Sequence, residues 1–214
     1  LITCSLSGFG GTGPLRNRAA FDITVQSATG VMSFINRRDA SGRLTPVPIP
    51  IADLLAGIHC AVAIPAALVQ RSQTGVGSHI DVGMYDSLIS WFVGFGVQQL
   101  NFGTTADIQE KLLWGSFDTR DRPLLITAHR AAQWRRFCTA LEHLEWTEDP
   151  RFADPEDRVE NIDELKHLIE EVLCSRTADE WIVAFEREGV SYSDTSTMVE
   201  ALAHPQTVDR EMVV

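Results

Sequence analysis

Four cysteines without a C-x-x-C pair, and six histidines without an H-E-x-x-H or comparable spacing, leave this 214-residue sequence little with which to hold a metal or a disulfide framework. Cys4, Cys60, Cys138 and Cys174 lie far apart and read as small buried apolar residues of a reducing compartment. His59 and His79 read as helix or strand-edge residues, so no metal site is expected. The sequence also lacks any run of eighteen or more uncharged apolar residues, and no basic segment precedes a short apolar core. Neither a membrane span nor a signal peptide is therefore expected, and a cytoplasmic location follows by default. Positive charge is in deficit: the net charge is −11, with six Arg/Lys against five Asp/Glu in residues 1–106 and twelve against twenty-four in residues 107–214. Such an acidic second half repels a phosphate backbone and argues against nucleic-acid binding, while the near-neutral first half could accept one anionic ligand.

What is present is apolar residues enough, 44% of the chain, for one large or two small domains with proper cores. The first residue is Leu1 rather than Met, and Leu1 to Leu6 reads as a buried strand, so the chain is expected to begin inside a domain. A glycine loop follows, Gly8-Phe9-Gly10-Gly11-Thr12-Gly13-Pro14, then a short helix from Asp22 to about Gly30. Pro46, Pro48 and Pro50 alternate with Val47, Ile49 and Ile51, which predicts a stiff extended segment because each proline fixes its own φ and restricts its predecessor. From Asp53 a long apolar helix is predicted to about Arg71, kinked near Pro65. Thr74 to Gly77 turns into a strand around His79–Val82, and a second apolar helix carries Leu88, Ile89, Phe92 and Val93. This order reads as α/β layering. The pattern breaks near Asn101–Gly115 and resumes as an acidic, helical half. There Leu124–Thr127 reads as a strand, and Ala131, Trp134, Phe137, Leu141 and Leu144 share a helix face. Asn161 with Glu164 and Thr177 with Glu180 have capping-box spacing, and Gly189 ends the helix that Thr177 begins.

Two places invite chemistry. Gly8, Gly10 and Gly13 match G-x-G-x-x-G after a strand, but Pro14 follows at once, no long helix opens, and no acidic residue closes a second strand about twenty residues later. A dinucleotide cofactor is not expected; the loop can still bring backbone close to a ligand, or serve as a wide turn. Asp53, at a predicted helix start, reads first as an N-cap. Its proline-stiffened approach and the apolar neighbours Ile51, Ala52, Leu54 and Leu55 also describe an immobile, partly desolvated carboxylate, which suits a nucleophile.

The glycine loop, Arg18-Ala19-Ala20-Phe21-Asp22, Pro50-Ile51-Ala52-Asp53-Leu54-Leu55-Ala56-Gly57, Arg71 to Gly77 and Asp81-Val82-Gly83-Met84-Tyr85-Asp86 resemble, in order and spacing, successive motifs of family III (CaiB/BaiF-type) coenzyme A transferases. The likeness continues through Phe117-Asp118-Thr119, Arg151-Phe152, Arg158 to Asn161, Glu180-Trp181 and His204-Pro205-Gln206. It implies an α/β fold in which residues 1–100 are the second part of a Rossmann-like large domain, 101–114 a linker, 115–205 a smaller α/β domain and 206–214 the start of a return linker. The family's N-terminal segment would lie upstream, and the glycine-rich flap expected around Asn101–Trp114 is poor. Asp53 takes the place of the catalytic aspartate, with coenzyme A contacts expected at Ser7, Gly8, Phe9 and Gly10. No permanently bound cofactor is implied, since coenzyme A and acyl-CoA are substrates; the partners would be a small carboxylic acid and a second, interlocked subunit. The same family contains 2-methylacyl-CoA racemases, which place a histidine where Phe21 stands, and Phe21 cannot exchange a proton. An incomplete, non-catalytic subunit is the other alternative.

Overall fold

The computed structural model describes residues 1–102 and 113–213, and the chain divides into two compact units, Leu1–Ala106 and Asp107–Val214. In the first, strand β1 (Thr3–Ser7) runs parallel to β2 (His79–Gly83), in register from Thr3 against His79 to Ser7 against Gly83. Parallel neighbours need a long crossover. Here it consists of α1 (Asp22–Ala28), α2 (Val31–Ile35) and α3 (Ile51–Thr74), and α4 (Met84–Phe102) follows β2 directly. The short helix expected from Asp22 to about Gly30 is α1, ending at Ala28; Gly30, at a left-handed φ of 84°, separates it from α2, a further short helix beyond the expected range. Helix α3 ends at Gly75, also left-handed, whose N–H donates to the Arg71 carbonyl at 2.8 Å. Pro65 lies inside it, removing one donor without ending the helix.

One face of α3, through Ala52, Leu55 and Ala56, packs with Val25, Val31, Val82, Met84 and Leu88 into the core of this unit. The other carries exposed Leu54, Ile58 and Val62 at four-residue spacing. Against the expectation of no membrane span, α3 is by length and composition apolar enough to cross a bilayer, with a mean hydropathy of 1.9; here it lies against β1, β2 and α4. The opening strand is in place but is not buried. Thr3, Cys4 and Leu6 are exposed, and β2 is its one sheet neighbour among the described residues. Of the four cysteines read as buried, only Cys138 is; Cys60 is half-buried, and Cys4 and Cys174 are exposed.

The second unit holds an antiparallel sheet in the order β3 (Trp114–Phe117), β4 (Leu124–Thr127), β5 (Ser191–Asp194). Leu124 and Ile126 point into the core while Leu125 between them is exposed, the period-two alternation of a half-covered strand. Around it lie α5 (Ala131–Ala140), a 3-10 turn (Leu144–Thr147), α6 (Pro155–Glu160), α7 (Ile162–Leu173) and α8 (Ala178–Glu188), followed by the short α9 (Met198–Ala203) and α10 (Pro205–Asp209). The core joins Phe137, Leu165, Ile169, Leu173, Trp181 and Phe185, all essentially inaccessible. Leu144, expected on the same helix face as Phe137, falls in the 3-10 turn and is exposed. Strand β5 completes the sheet at Ser191–Asp194, a stretch without period-two apolar alternation to announce it. The expected linker 101–114 falls mostly outside the described residues, and Pro205–Asp209 is helical within the stretch that runs into the expected return linker.

The two expected capping boxes part company. Thr177 accepts from the Glu180 N–H, and Glu180 accepts from the Thr177 N–H at 2.7 Å. Asn161 instead closes α6 and opens α7 at once. Its amide donates to the Asp157 carbonyl, and Glu164 turns away to pair with Arg151. A further box, Thr197 with Glu200, starts α9. Thr177→Ala is expected to cost about 1 kcal/mol, seen as a lower urea midpoint with an unchanged slope, whereas Thr177→Ser keeps most of the cap.

Candidate active site

The start of α3 is built by side chains from α1. Asp22 Oδ2 accepts the N–H groups of Ala52, at 2.7 Å, and Asp53, at 3.4 Å, so a carboxylate thirty residues away in sequence supplies the helix cap. Asp53 is thus not the N-cap the sequence pointed to; it sits in the first turn, with Pro50 preceding the helix. One turn beyond Asp22, fully buried Gln26 donates from Nε2 to Asp22 Oδ1 at 2.5 Å and to the carbonyls of Val47 and Ile49, while its Oε1 accepts the Val47 N–H at 2.9 Å. The proline segment is therefore clamped by an amide as well as stiffened by its prolines. It is not uniformly extended: it bends at Pro48-Ile49, and Ile51 N–H donates back to the Ile49 carbonyl at 2.7 Å just before the helix begins.

Asp53 lines a shallow recess of about 370 Å³ with Phe21, Asp22 and Ile23 from α1 and its approach, and with Pro46 to Pro50. The recess is walled by apolar side chains and contains two carboxylates. Asp53 itself is exposed, not the desolvated group anticipated, because the apolar Leu54 beside it also faces outward and the walls cover it from one side. That partial cover is nevertheless the first cause raising its pKa above the ordinary aspartate value, and the Asp22 charge is the second. A helix N-terminus by itself favours a carboxylate by roughly 0.3–1 kcal/mol. With Asp22 already seated on the free N–H groups, desolvation and then the Asp22 charge leave the net direction upward.

Ser7, Gly8, Phe9 and Gly10 form the turn out of β1. Gly10 has a left-handed φ of 80° and its N–H donates to Ser7 Oγ at 3.0 Å; the Gly11 N–H donates to Asp81 Oδ2 at 2.7 Å. The Tyr85 N–H at the start of α4 donates to the Gly8 carbonyl at 3.0 Å, and the Phe9 ring lies 5.9 Å from that of Tyr85. Glycine at position 8 has a plain packing reason, since a Cβ there would collide with that of Ala20. None of Ser7 to Gly10 is among the residues lining the recess with Asp53; the turn reaches it through Ala20, which abuts Gly8 and precedes Phe21. Asp22 and Gln26 escaped the sequence reading as site residues. Their four-residue spacing on one helix was the available signal.

The family model of CoA-transferase family III matches residues 1–214. The chain belongs to CoA-transferase family III. It is 32% identical to an acyl-CoA transferase of Fusarium pseudograminearum and 31% identical to the acetyl-CoA:oxalate CoA-transferase of Acetobacter aceti, aligned over the whole chain but over 48% and 56% of those proteins. It thus spans about half the length of the curated relatives it matches. Among solved structures, Rv3272 of M. tuberculosis superposes with a TM-score of 0.87 at 26% identity, and a CaiB/BaiF family protein of Brucella suis with 0.77 at 27%; each covers the whole of this chain, which covers 57% of theirs. The α/β class and the CaiB/BaiF fold expected from the motifs are therefore those of the structure.

Two substitutions test the geometry of this recess. Gln26→Glu puts a carboxylate oxygen against Asp22 and two backbone carbonyls, so it should destabilise by about 2–3 kcal/mol at neutral pH, the loss shrinking in acid as the new carboxyl takes a proton. For Asp53 the sign runs the other way. A folded-state pKa above the unfolded one means that stability from this group is present in acid and lost as pH rises through the folded pKa. Asp53→Asn should accordingly be no less stable than the parent at pH 7, with the two unfolding curves converging as pH falls through the carboxylate range.

Proposed function

We propose that the protein to which this chain belongs moves coenzyme A between an acyl-CoA and a carboxylic acid, with Asp53 carrying the acyl group. The observation supporting this reading is the placement of Asp53: a reachable carboxylate, fixed to the first turn of α3, with apolar walls on one side and a second carboxylate 31 positions away in sequence beside it. Its raised pKa makes the carboxylate a better nucleophile than an ordinary aspartate. In the proposed sequence Asp53 attacks the donor thioester carbonyl and expels CoA thiolate, leaving a mixed anhydride. The thiolate attacks the aspartyl carbonyl, releasing the donor acid and leaving coenzyme A on Asp53 as a thioester. The acceptor carboxylate then reverses both steps. Backbone N–H groups near each tetrahedral centre would stabilise its oxyanion, and the Ser7–Gly10 turn is the proposed coenzyme A contact. Relatives whose names give acetyl-CoA with oxalate, or succinyl-CoA with glutarate, support an acyl-CoA and a small acid as the substrate pair. An interlocked homodimer in the cytoplasm belongs to the same reading.

Racemisation draws no support from the recess, where Phe21 stands at the position of the family's histidine and no histidine is among the lining residues. His59 is held instead by Ser87 Oγ at 2.8 Å. Trapping during turnover with hydroxylamine or borohydride, followed by peptide mass mapping, should modify the peptide bearing Asp53. Asp53→Ala should abolish the adduct and lower turnover by at least about a thousandfold; an adduct on any other residue overturns the assignment.

A further inference from the structure

Cys4 and Cys60 are 56 positions apart in sequence, yet the fold brings their sulfurs to 3.7 Å, with the Cys4 thiol directed at Cys60 Sγ. One lies in the middle of β1, three residues before the Ser7–Gly10 turn. The other lies on α3, seven residues and so about two turns after Asp53. A disulfide requires about 2.05 Å between sulfurs. The remaining gap can be closed by side-chain rotation and a small approach of strand and helix that already pack together. We propose that Cys4 and Cys60 form a reversible thiol pair, which a hydroperoxide converts to a disulfide tying β1 to α3.

The two sulfurs are unequal. Cys4 is exposed, whereas Cys60 is half-buried. Exposure makes Cys4 the sulfur that meets the oxidant and Cys60 the one that resolves it, and burial, then the adjoining Cys4 thiol, raise the Cys60 pKa, which lowers its own reactivity toward the oxidant. The chemistry balances in two steps. The Cys4 sulfur attacks one peroxide oxygen, the O–O bond breaks, and the products are Cys4 sulfenic acid and water (or alcohol). The Cys60 sulfur then displaces hydroxide from the sulfenic sulfur, its proton leaves with that hydroxide as a second water, and the S–S bond forms. The sulfurs are oxidised by two electrons and the peroxide is reduced by two. A thiol reductant reverses the change by exchange. Cys138 is no competitor, because burial excludes solvent from it and pushes its thiol up to about 12.

Formation of the disulfide fixes the strand that leads into the glycine turn to the helix that presents Asp53. The spacing between turn and carboxylate, which a large thioester must bridge, can then no longer adjust. On the full-length protein, one equivalent of hydrogen peroxide should consume two thiols, and non-reducing peptide mapping should recover a Cys4–Cys60 crosslinked peptide. The crosslink is independent of the proposed reaction, so its appearance or absence decides the thiol pair even if coenzyme A transfer fails. Where transfer is measured, oxidation should lower turnover on the order of tenfold and dithiothreitol should restore it. Cys4→Ser and Cys60→Ser should each abolish both crosslink and inhibition, whereas Cys174→Ser should change neither. A crosslink to another cysteine, over-oxidation of Cys4 with no crosslink, or inhibition that survives in Cys4→Ser would overturn the proposal.

Discussion

The geometry of the candidate site rests on one carboxylate used as a helix cap. Asp22 satisfies two of the N–H groups that α3 leaves free at its start, and it does so from a separate helix, so the position of α3 relative to α1 is set by hydrogen bonds at the point where Asp53 emerges. Gln26 extends the same connection one turn deeper. Buried among apolar side chains, its amide has no water to turn to, and each of its bonds to Asp22, Val47 and Ile49 is worth more than it would be in solvent. Three segments distant in sequence are thereby joined by two side chains at adjacent turns of α1.

Much of this was legible in the sequence as local pattern and little of it as connection. The prolines at 46, 48 and 50 announced a stiff approach to a long helix, and Gly189 marked a helix end, because those signals act within a few residues. The Thr177 box was read correctly for the same reason. Asn161 was not: with α6 ending where α7 begins, its amide was already committed to the Asp157 carbonyl, a demand that spacing does not reveal. Asp53 shows the limit most plainly. An aspartate at a helix start is a good cap by propensity, yet Asp22 reaches that position from another element and leaves Asp53 free to face outward. The approach of Cys4 to Cys60 was equally invisible, since only the packing of β1 against α3 brings them together.

The two units solve the burial problem differently. In the second, large aromatic side chains such as Phe137, Trp181 and Phe185 interlock between helices and sheet, and Trp181 Nε1 donates to the Leu173 carbonyl at 2.8 Å so that even its polar atom is satisfied. Arg158 is buried there too, with Nη1 donating to the carbonyls of Phe152 and Ala153 and its guanidinium 5.2 Å from the Trp134 ring centre; burial is the main cause lowering its pKa. The first unit has a smaller core of Val, Leu, Ala and Met around α3, and leaves Leu54, Ile58 and Val62 uncovered. The start of α3 therefore depends on directed polar bonds from Asp22 and Gln26 as well as on packing.

That dependence bears on what Asp53 can do. A carboxylate buried in the core would hold a high pKa but would be closed to a thioester, and one in open solvent would be reachable but ordinary. Here exposure and perturbation coexist because the perturbing groups act from one side: apolar walls formed by the proline segment and α1, and the charge of the cap itself. Asp22 thus acts twice. Its hydrogen bonds fix where Asp53 is held, and its negative charge adds to the desolvation that raises the Asp53 pKa, which in the proposed reaction makes the carboxylate a better nucleophile. A neutral cap such as serine or asparagine could supply the first effect but not the second, which gives a physical reason for a carboxylate at position 22 rather than merely a good capping residue.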